Sequence, residues 1–114
     1  MKMTERLVYF DVETTGLHSH RDDQRVEIVN IGAFTTSGHQ FQDFIFPTIP
    51  IHPAATNHIH GIFAVRNGQR VELAQRGTDG IIPSVDPKTG LIDFLNWLDE
   101  LGCTYLVRCD FDSL

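Results

Sequence analysis

Two acidic residues, Asp11 and Glu13, interrupt an apolar run in the segment "YFDVETTGL", residues 9–17. Side chains alternate between the faces of a strand, so both carboxylates would point the same way, about 6.5–7 Å apart along the chain. Like charges repel when they are poorly solvated, and a divalent cation between them offsets the repulsion. Hard oxygen ligands suit Mg²⁺ or Mn²⁺, and a pair of such ions can clamp both oxygens of a phosphodiester cleavage. The plainer alternative is a strand end with two solvated acids.

The residues after the acids strengthen the interpretation as a site. Gly16 permits a left-handed turn directly after the strand. Thr14 and Thr15 offer hydroxyl and backbone N–H donors at the same rim, and Leu17 adds an apolar side chain. Together these groups can accommodate a metal, a phosphate and a base edge.

The acids need a sheet to hold them, and the apolar patterns predict one. The 114 residues make one domain, with 41% hydrophobic residues for one modest core. Runs rich in β-branched and aromatic residues predict strands at residues 6–13, 26–35, 40–46 and 104–107. The second run is apolar on both faces, which predicts a central strand.

Helices are predicted on either side of an irregular segment at residues 63–87. A short helix begins at Pro53 and ends at Gly61. A longer one covers residues 89–102, with apolar positions at helical spacing (Leu91, Phe94 or Leu95, Leu98 and Leu101) and caps at Asp86 or Thr89 and at Gly102. This order predicts an α/β domain over residues 1–114 with a mixed sheet and flanking helices, C-terminally truncated.

Composition restricts the class of partner and the compartment. The net charge of −6 argues against simple electrostatic docking onto nucleic acid or an anionic membrane, unless cations supply positive charge at the site. The two cysteines form no CxxC pair, which fits a reducing compartment. No run reaches the ~18 apolar residues of a membrane span. We therefore expect a soluble intracellular protein, nuclear or cytoplasmic, with no membrane partner.

Several segments of the sequence resemble the motifs of a known family. The segment "YFDVETTGL" is similar to the first motif of the DEDD (DnaQ-like) 3′–5′ exonucleases. The segments "VEIVNIGAF", "IFPTIPIHPAATNHIHGI" and "GLIDFLNWLDELGCTYLV" resemble the family's second strand, its proline-rich "HGI" helix and the approach to its second motif. Within the family, the spacing looks closest to animal three-prime repair exonucleases and the exonuclease-like domain at the C-terminus of PML proteins.

The resemblance implies an RNase H-like fold and a two-metal site for Mg²⁺ or Mn²⁺. Asp11 and Glu13 match the first two metal-binding, catalytic acids, and Asp112 matches the third. The residues that match those around the 3′-terminal nucleotide are Thr14, Thr15, Leu17 and His60. The implied partners are single-stranded or frayed 3′ ends of DNA, with RNA as a second possibility.

The sequence departs from the family after its fourth predicted strand. The family's second motif resembles "LVAHN", a spacer and "FD", whereas this chain reads "LVRCDFDSL", which makes Asp110 a rival to Asp112. The third motif, with its histidine general base and fourth acid, would lie beyond residue 114. Because general-base help is typically worth ~10²–10⁴ in rate, we expect a 3′–5′ exonuclease that is weak or inactive in this chain. The alternative is a non-catalytic nucleic-acid or protein interaction module derived from an exonuclease.

Overall fold

The computed structural model describes residues 7–16, 25–68 and 70–109. Within these ranges lie the strands β1 (Leu7–Thr14), β2 (Ile28–Phe34), β3 (Gln40–Phe44), β4 (Ile62–Asn67), β5 (Arg70–Gln75) and β6 (Tyr105–Arg108). The helices are α1 (Pro53–Ala55), which continues directly into a π-helix (Thr56–His60), and α2 (Pro87–Leu101). None of the helices in this part of the chain is long and apolar enough to cross a membrane.

The main sheet has four strands in the order β3-β2-β1-β6. β1 pairs antiparallel with β2, and β2 pairs antiparallel with β3. β6 pairs parallel with β1, which requires the long crossover that α2 provides. The sheet is therefore mixed and β2 lies inside it, so both predictions are confirmed.

One face of the main sheet packs against α2. Val8, Phe10 and Val12 alternate along β1 and contribute to this core, together with residues of β2 and α2. Phe41 of β3 packs against Phe94 of α2, with ring centroids 5.4 Å apart. Because side chains alternate along a strand, Tyr9, Asp11 and Glu13 lie on the opposite face, which faces away from α2.

α2 packs against the core through Phe94, Leu98 and Leu101, which belong to the predicted apolar positions. Gly90, Phe94 and Leu101 are buried, whereas Leu91 and Leu95 are 54% and 53% exposed. The reason is the close approach of the first helical turn to the sheet. A Cβ atom at Gly90 would lie 2.7 Å from Cδ1 of Ile45, so only glycine allows this spacing. Leu91, although it belongs to the apolar positions at helical spacing, is exposed, because Gly90 rather than leucine occupies the contact with the sheet.

The ends of α2 follow the predicted caps. The Asp86 side chain accepts a hydrogen bond from the backbone N–H of Thr89 at 3.2 Å, and Pro87 occupies the first helical turn. Gly102 ends the helix in the left-handed conformation, with φ of 69°. The sequence allowed either Asp86 or Thr89 as the N-cap of this helix, and the N-cap is Asp86.

A carboxyl pair lies between β3 and α2. The Oδ2 atom of Asp43 is buried and accepts no hydrogen bond from the described residues. Burial, and then the neighbouring carboxyl of Asp93, raise the pKa of Asp43 to about 6. A proton shared between the two carboxyls would give the buried oxygen a hydrogen-bond partner.

Residues 63–87, predicted as irregular, contain a β-hairpin instead. β4 and β5 pair antiparallel, and Gly68, with φ of 67°, lies in the turn between them. The hairpin contributes Ile62 and Leu73 to a second core, where they meet Val29 of β2. Residues 82–85 connect the hairpin to the main sheet. The backbone N–H of Ile82 donates to Leu73 of β5, and that of Val85 donates to Phe44 of β3.

Candidate functional site

Asp11 and Glu13 share the face of the sheet opposite α2, as predicted. Across the ladder, Asp11 pairs with Gly32 and Glu13 pairs with Asn30. Asp11 Oδ1 accepts a hydrogen bond from the backbone N–H of Val12 at 2.9 Å. Both acids are half-buried, and β2 lies beside them in the sheet. The arrangement places two carboxylates about 6.5–7 Å apart along one strand, on one surface.

A groove of about 540 Å³ runs beside Asp11 over β2 and β3. Gly32 forms part of its floor, and a Cβ atom at this position would have nothing within 4 Å. The side chains that line it include the amides Asn30, Gln40 and Gln42 and the ring of Phe34. Phe34 in turn stacks on Tyr9, with ring centroids 5.3 Å apart. The groove therefore joins an acid, amides and an aromatic ring on one open face.

The sequence analysis did not identify this groove. Two features of the sequence could have indicated the groove. Gln40 and Gln42 occupy alternate positions of the third strand, and a glycine lies inside the second strand. A glycine inside a strand can mark a place where a ligand approaches closely. Cross-strand neighbours, however, depend on register, and register comes from the structure.

The rim beyond the acids begins at a β-bulge. The pairing with β2 changes from Glu13–Asn30 to Thr14–Ile28, so it skips Val29. Val29 is fully buried in the second core, beside Ile62 and Leu73. Such bulges bend a strand and change the direction of its side chains. Here the bulge lies directly after Glu13, where the chain leaves the sheet.

Thr14 and Thr15 have structural contacts at this rim. The Thr14 hydroxyl accepts from the N–H of Gly16 at 3.3 Å, which closes a tight turn. Thr15 is 3% exposed, and its hydroxyl accepts from the N–H of Glu27 at 3.1 Å. The Thr15 backbone N–H donates to Glu27 and its carbonyl accepts from His52. Thr15 thus fixes the rim in place, and its contact with a nucleotide stays a prediction.

His60 connects the π-helix to the end of β1. Its Nε2 lies 2.9 Å from the carbonyl oxygen of Thr14, and its Nδ1 accepts from the backbone N–H of Ile62 at 2.9 Å. Because Nδ1 is the acceptor, Nε2 must carry the proton and donate to Thr14. The ring is buried, at 9% exposure. Both nitrogens therefore have structural bonds, while a contact of His60 with the 3′-terminal nucleotide stays a prediction.

Leu17 and Asp112, together with the rival Asp110, lie outside the described residues. The last described residue of the C-terminal segment is Cys109, whose backbone N–H donates to the carbonyl of Phe10 at 2.7 Å. Phe10 directly precedes Asp11, so this segment runs alongside the acids up to that point. Across residues 7–16, 25–68 and 70–109, no three histidine, cysteine or acidic side chains are grouped as they would be around a metal ion.

The donor set fits a hard cation better than any other ligand. Carboxylate and amide oxygens are ligands for Mg²⁺ and Mn²⁺, and zinc prefers histidine and cysteine. Asp11 and Glu13 contribute two carboxylates and Asn30, opposite Glu13, contributes an amide. The net charge of −6 and the two carboxylates disfavour the approach of a phosphate to this face, and a bound cation would offset that repulsion.

The chain is similar to exuperantia proteins of fruit flies. It is 35% identical to "Maternal protein exuperantia" of Drosophila virilis over 97 residues, which are 83% of this chain and 18% of that protein. It is 35% identical to the protein of the same name in Drosophila melanogaster over 95 residues, covering 83% and 16%. "Maternal protein exuperantia-1" of Drosophila pseudoobscura pseudoobscura is 37% identical over 97 residues, covering 83% and 18%. The chain thus spans less than a fifth of the length of these relatives.

A family model described as the Exuperantia RNAse H-like domain matches residues 5–106. That match confirms the α/β, RNase H-like fold predicted from the sequence. The finer likeness to three-prime repair exonucleases and to the PML domain stays a prediction. The chain therefore belongs to the Exuperantia RNAse H-like domain family.

Proposed function

We propose that this chain is a nucleic-acid-binding domain of exonuclease ancestry, which binds its ligand through a divalent cation held by Asp11 and Glu13. The observation that carries the proposal is the position of both acids on the open face of the sheet, next to a groove lined with amides and an aromatic ring. Carboxylates alone would repel a phosphate backbone, so the groove and the acids work together only with a cation.

The cation would be Mg²⁺ or Mn²⁺, bound by the carboxylates of Asp11 and Glu13, with Asp112 as the third predicted ligand. When bound, it supplies positive charge for a phosphate. Asn30 lies directly opposite Glu13 and can orient its carboxylate or the ligand. The chain's own contribution is to hold these oxygens on a rigid central strand, which the bulge and the Thr15 and His60 hydrogen bonds support at its end.

The proposal predicts nucleic-acid binding that requires the divalent cation. Titration calorimetry with Mn²⁺ should detect a site in the 114-residue chain. Asp11→Asn and Glu13→Gln should each weaken it at least tenfold, because each removes one anionic ligand. Fluorescence anisotropy of a labelled single-stranded oligonucleotide should show binding with Mg²⁺ and loss of binding with EDTA.

The matched control is Asp79→Asn, since Asp79 is an exposed carboxylate away from β1. This variant should keep the wild-type affinity for Mn²⁺ and for the oligonucleotide. Unchanged Mn²⁺ affinity in both site variants would refute the proposal. Oligonucleotide binding that persists in EDTA would also refute it.

The second candidate is 3′–5′ exonuclease hydrolysis of single-stranded or frayed ends of DNA, or of RNA. The placement of two acids on one face of the central strand favours it, because the first motif of the exonucleases has the same pattern. We propose that hydrolysis by this chain is weak or absent, since its segment "LVRCDFDSL" departs from the second motif of the exonucleases. Mg²⁺-dependent digestion of a 3′-labelled oligonucleotide that Asp11→Asn abolishes would establish the enzyme instead.

A further inference from the structure

We propose that the groove over Gly32 receives an unpaired nucleobase, so that the ligand of this domain is single-stranded nucleic acid lying across the sheet. This inference rests on the proposed function, because the cation at Asp11 and Glu13 is what allows the phosphate backbone to approach. It adds a base-binding groove and the residues that contact the base. These residues lie on β2 and β3, outside the predicted 3′-end contacts at the rim.

The first support is the space itself. Gly32 lies in the central strand, opposite Asp11 on β1 and Gln42 on β3. A Cβ atom at this position would lie more than 4 Å from any atom of the described residues, and the groove above it measures about 540 Å³. Gly32 does not adopt a positive φ, so its backbone would accept other residues. The backbone conformation therefore does not require glycine at this position, and the missing side chain leaves room for a ligand.

The second support is an aromatic ring at the edge of this space. Phe34 lines the groove and is 37% exposed, which is unusual for a phenylalanine on a central strand. Its ring stacks on Tyr9 with an interplanar angle of 21°, which holds it in one orientation. A base can stack on such a ring whatever its sequence, because every base has a π-face.

The third support is the polar lining opposite the ring. Gln40 pairs across the ladder with Phe34, and Gln42 pairs with Gly32, so both amides border the groove. An amide side chain carries both donors and an acceptor and can therefore pair with the edge of an unstacked base. Among the described residues no lysine or arginine lines the groove, so we assign the positive charge at this face to the cation. Asp11 belongs to both the groove and the acid pair, which makes the two sites continuous.

Filling the groove tests the inference directly. Gly32→Val adds a β-branched side chain that suits a strand, and its Cβ atom would have no described atom within 4 Å. Thermal melting should show unchanged or higher stability, and calorimetry should show unchanged Mn²⁺ affinity. Anisotropy with a labelled single strand of about 12 nucleotides, DNA or RNA, should show affinity reduced at least tenfold. Phe34→Leu, which keeps an apolar side chain without an aromatic face, should weaken binding in the same way.

Ala64→Val is the matched control, because Ala64 is an exposed small residue on a strand of the hairpin. It should leave oligonucleotide binding unchanged. Wild-type affinity in Gly32→Val would overturn the inference, and a blunt duplex bound as tightly as the single strand would do the same. A marked loss of stability in Gly32→Val would show that another part of the protein fills the groove, which also overturns it. Failure of the cation proposal is distinguishable, because then Asp11→Asn leaves Mn²⁺ affinity unchanged.

Discussion

Replacing His60 by alanine should destabilise the domain. The ring accepts from the N–H of Ile62 and donates to the carbonyl of Thr14, each at 2.9 Å, and it is 9% exposed. The substitution removes both partners at once, and each buried backbone group left unsatisfied costs about 1–3 kcal/mol. Because water can enter part of the space left by the ring, we expect the free energy of unfolding to fall by about 2–5 kcal/mol. That is a large share of the ~5–15 kcal/mol typical of a whole domain.

Urea unfolding followed by circular dichroism measures this loss. With an m-value of about 2 kcal/mol/M, the midpoint should fall by about 1–2.5 M. The matched control is His58→Ala on the same π-helix, because His58 is exposed. That variant should unfold within about 0.5 kcal/mol of the wild type, as surface substitutions usually do.

Nuclear magnetic resonance tests the same assignment without a substitution. The hydrogen bonds require the tautomer of His60 with the proton on Nε2, and long-range correlations to the ring nitrogens report which nitrogen is protonated. A protonated Nδ1 in the neutral ring would contradict the hydrogen bond from Ile62. If His60→Ala unfolds like the wild type but binds an oligonucleotide more weakly, the reasoning is refuted, and His60 is a ligand contact instead.

Two further predictions concern the packing of α2. Gly90→Ala should lower stability by about 1 kcal/mol despite the better helix propensity of alanine, because overpacking against Ile45 costs ~1–3 kcal/mol. The cost should shrink in an Ile45→Ala background, which removes both Cγ1 and Cδ1 of Ile45, and equal costs in both backgrounds would contradict the contact. The pKa of Asp43 in the folded state is about 6, above the usual 3.8, so the folded state binds the proton more tightly than the unfolded state does. The free energy of unfolding should therefore fall as the pH rises from 3.8 through about 6. Asp43→Asn removes that fall and gives Asp93 a permanent amide donor, so identical pH slopes in thermal melts of both proteins would exclude the shared proton.

The alternation of residues was enough to predict the main sheet. β1 and β2 have β-branched and aromatic residues in long runs, so their existence and the central place of β2 follow from composition. The helix α2 was equally clear, but its buried side was not, because the spacing of Leu91 and Leu95 fits a helix in several rotations. Gly90 determines which side of α2 faces the sheet. A pattern of hydrophobic side chains cannot reveal this, because glycine has no side chain.

The hairpin and the site show a different limit. Asn67-Gly68 between the runs of β4 and β5 is a hairpin signal, but the glycines and arginines around it favoured an irregular interpretation. Asp11 and Glu13 were predictable as a pair because they are close in sequence. The groove depends on residues of β2 and β3 that only the register brings beside Asp11. The hydrogen bond from His60 Nε2 to the carbonyl of Thr14 likewise depends on a tertiary contact, because the two residues are 46 positions apart.

The central claim is that the two acids on the open face of the sheet bind a divalent cation that nucleic acid binding requires. The most direct measurement is calorimetric titration of Mn²⁺ into the wild type, Asp11→Asn and Asp79→Asn, each followed by anisotropy with the same single-stranded oligonucleotide. We predict that the wild type and Asp79→Asn bind both ligands, and that Asp11→Asn loses at least tenfold in affinity for each. Equal affinities for Mn²⁺ and oligonucleotide in all three proteins would contradict the account.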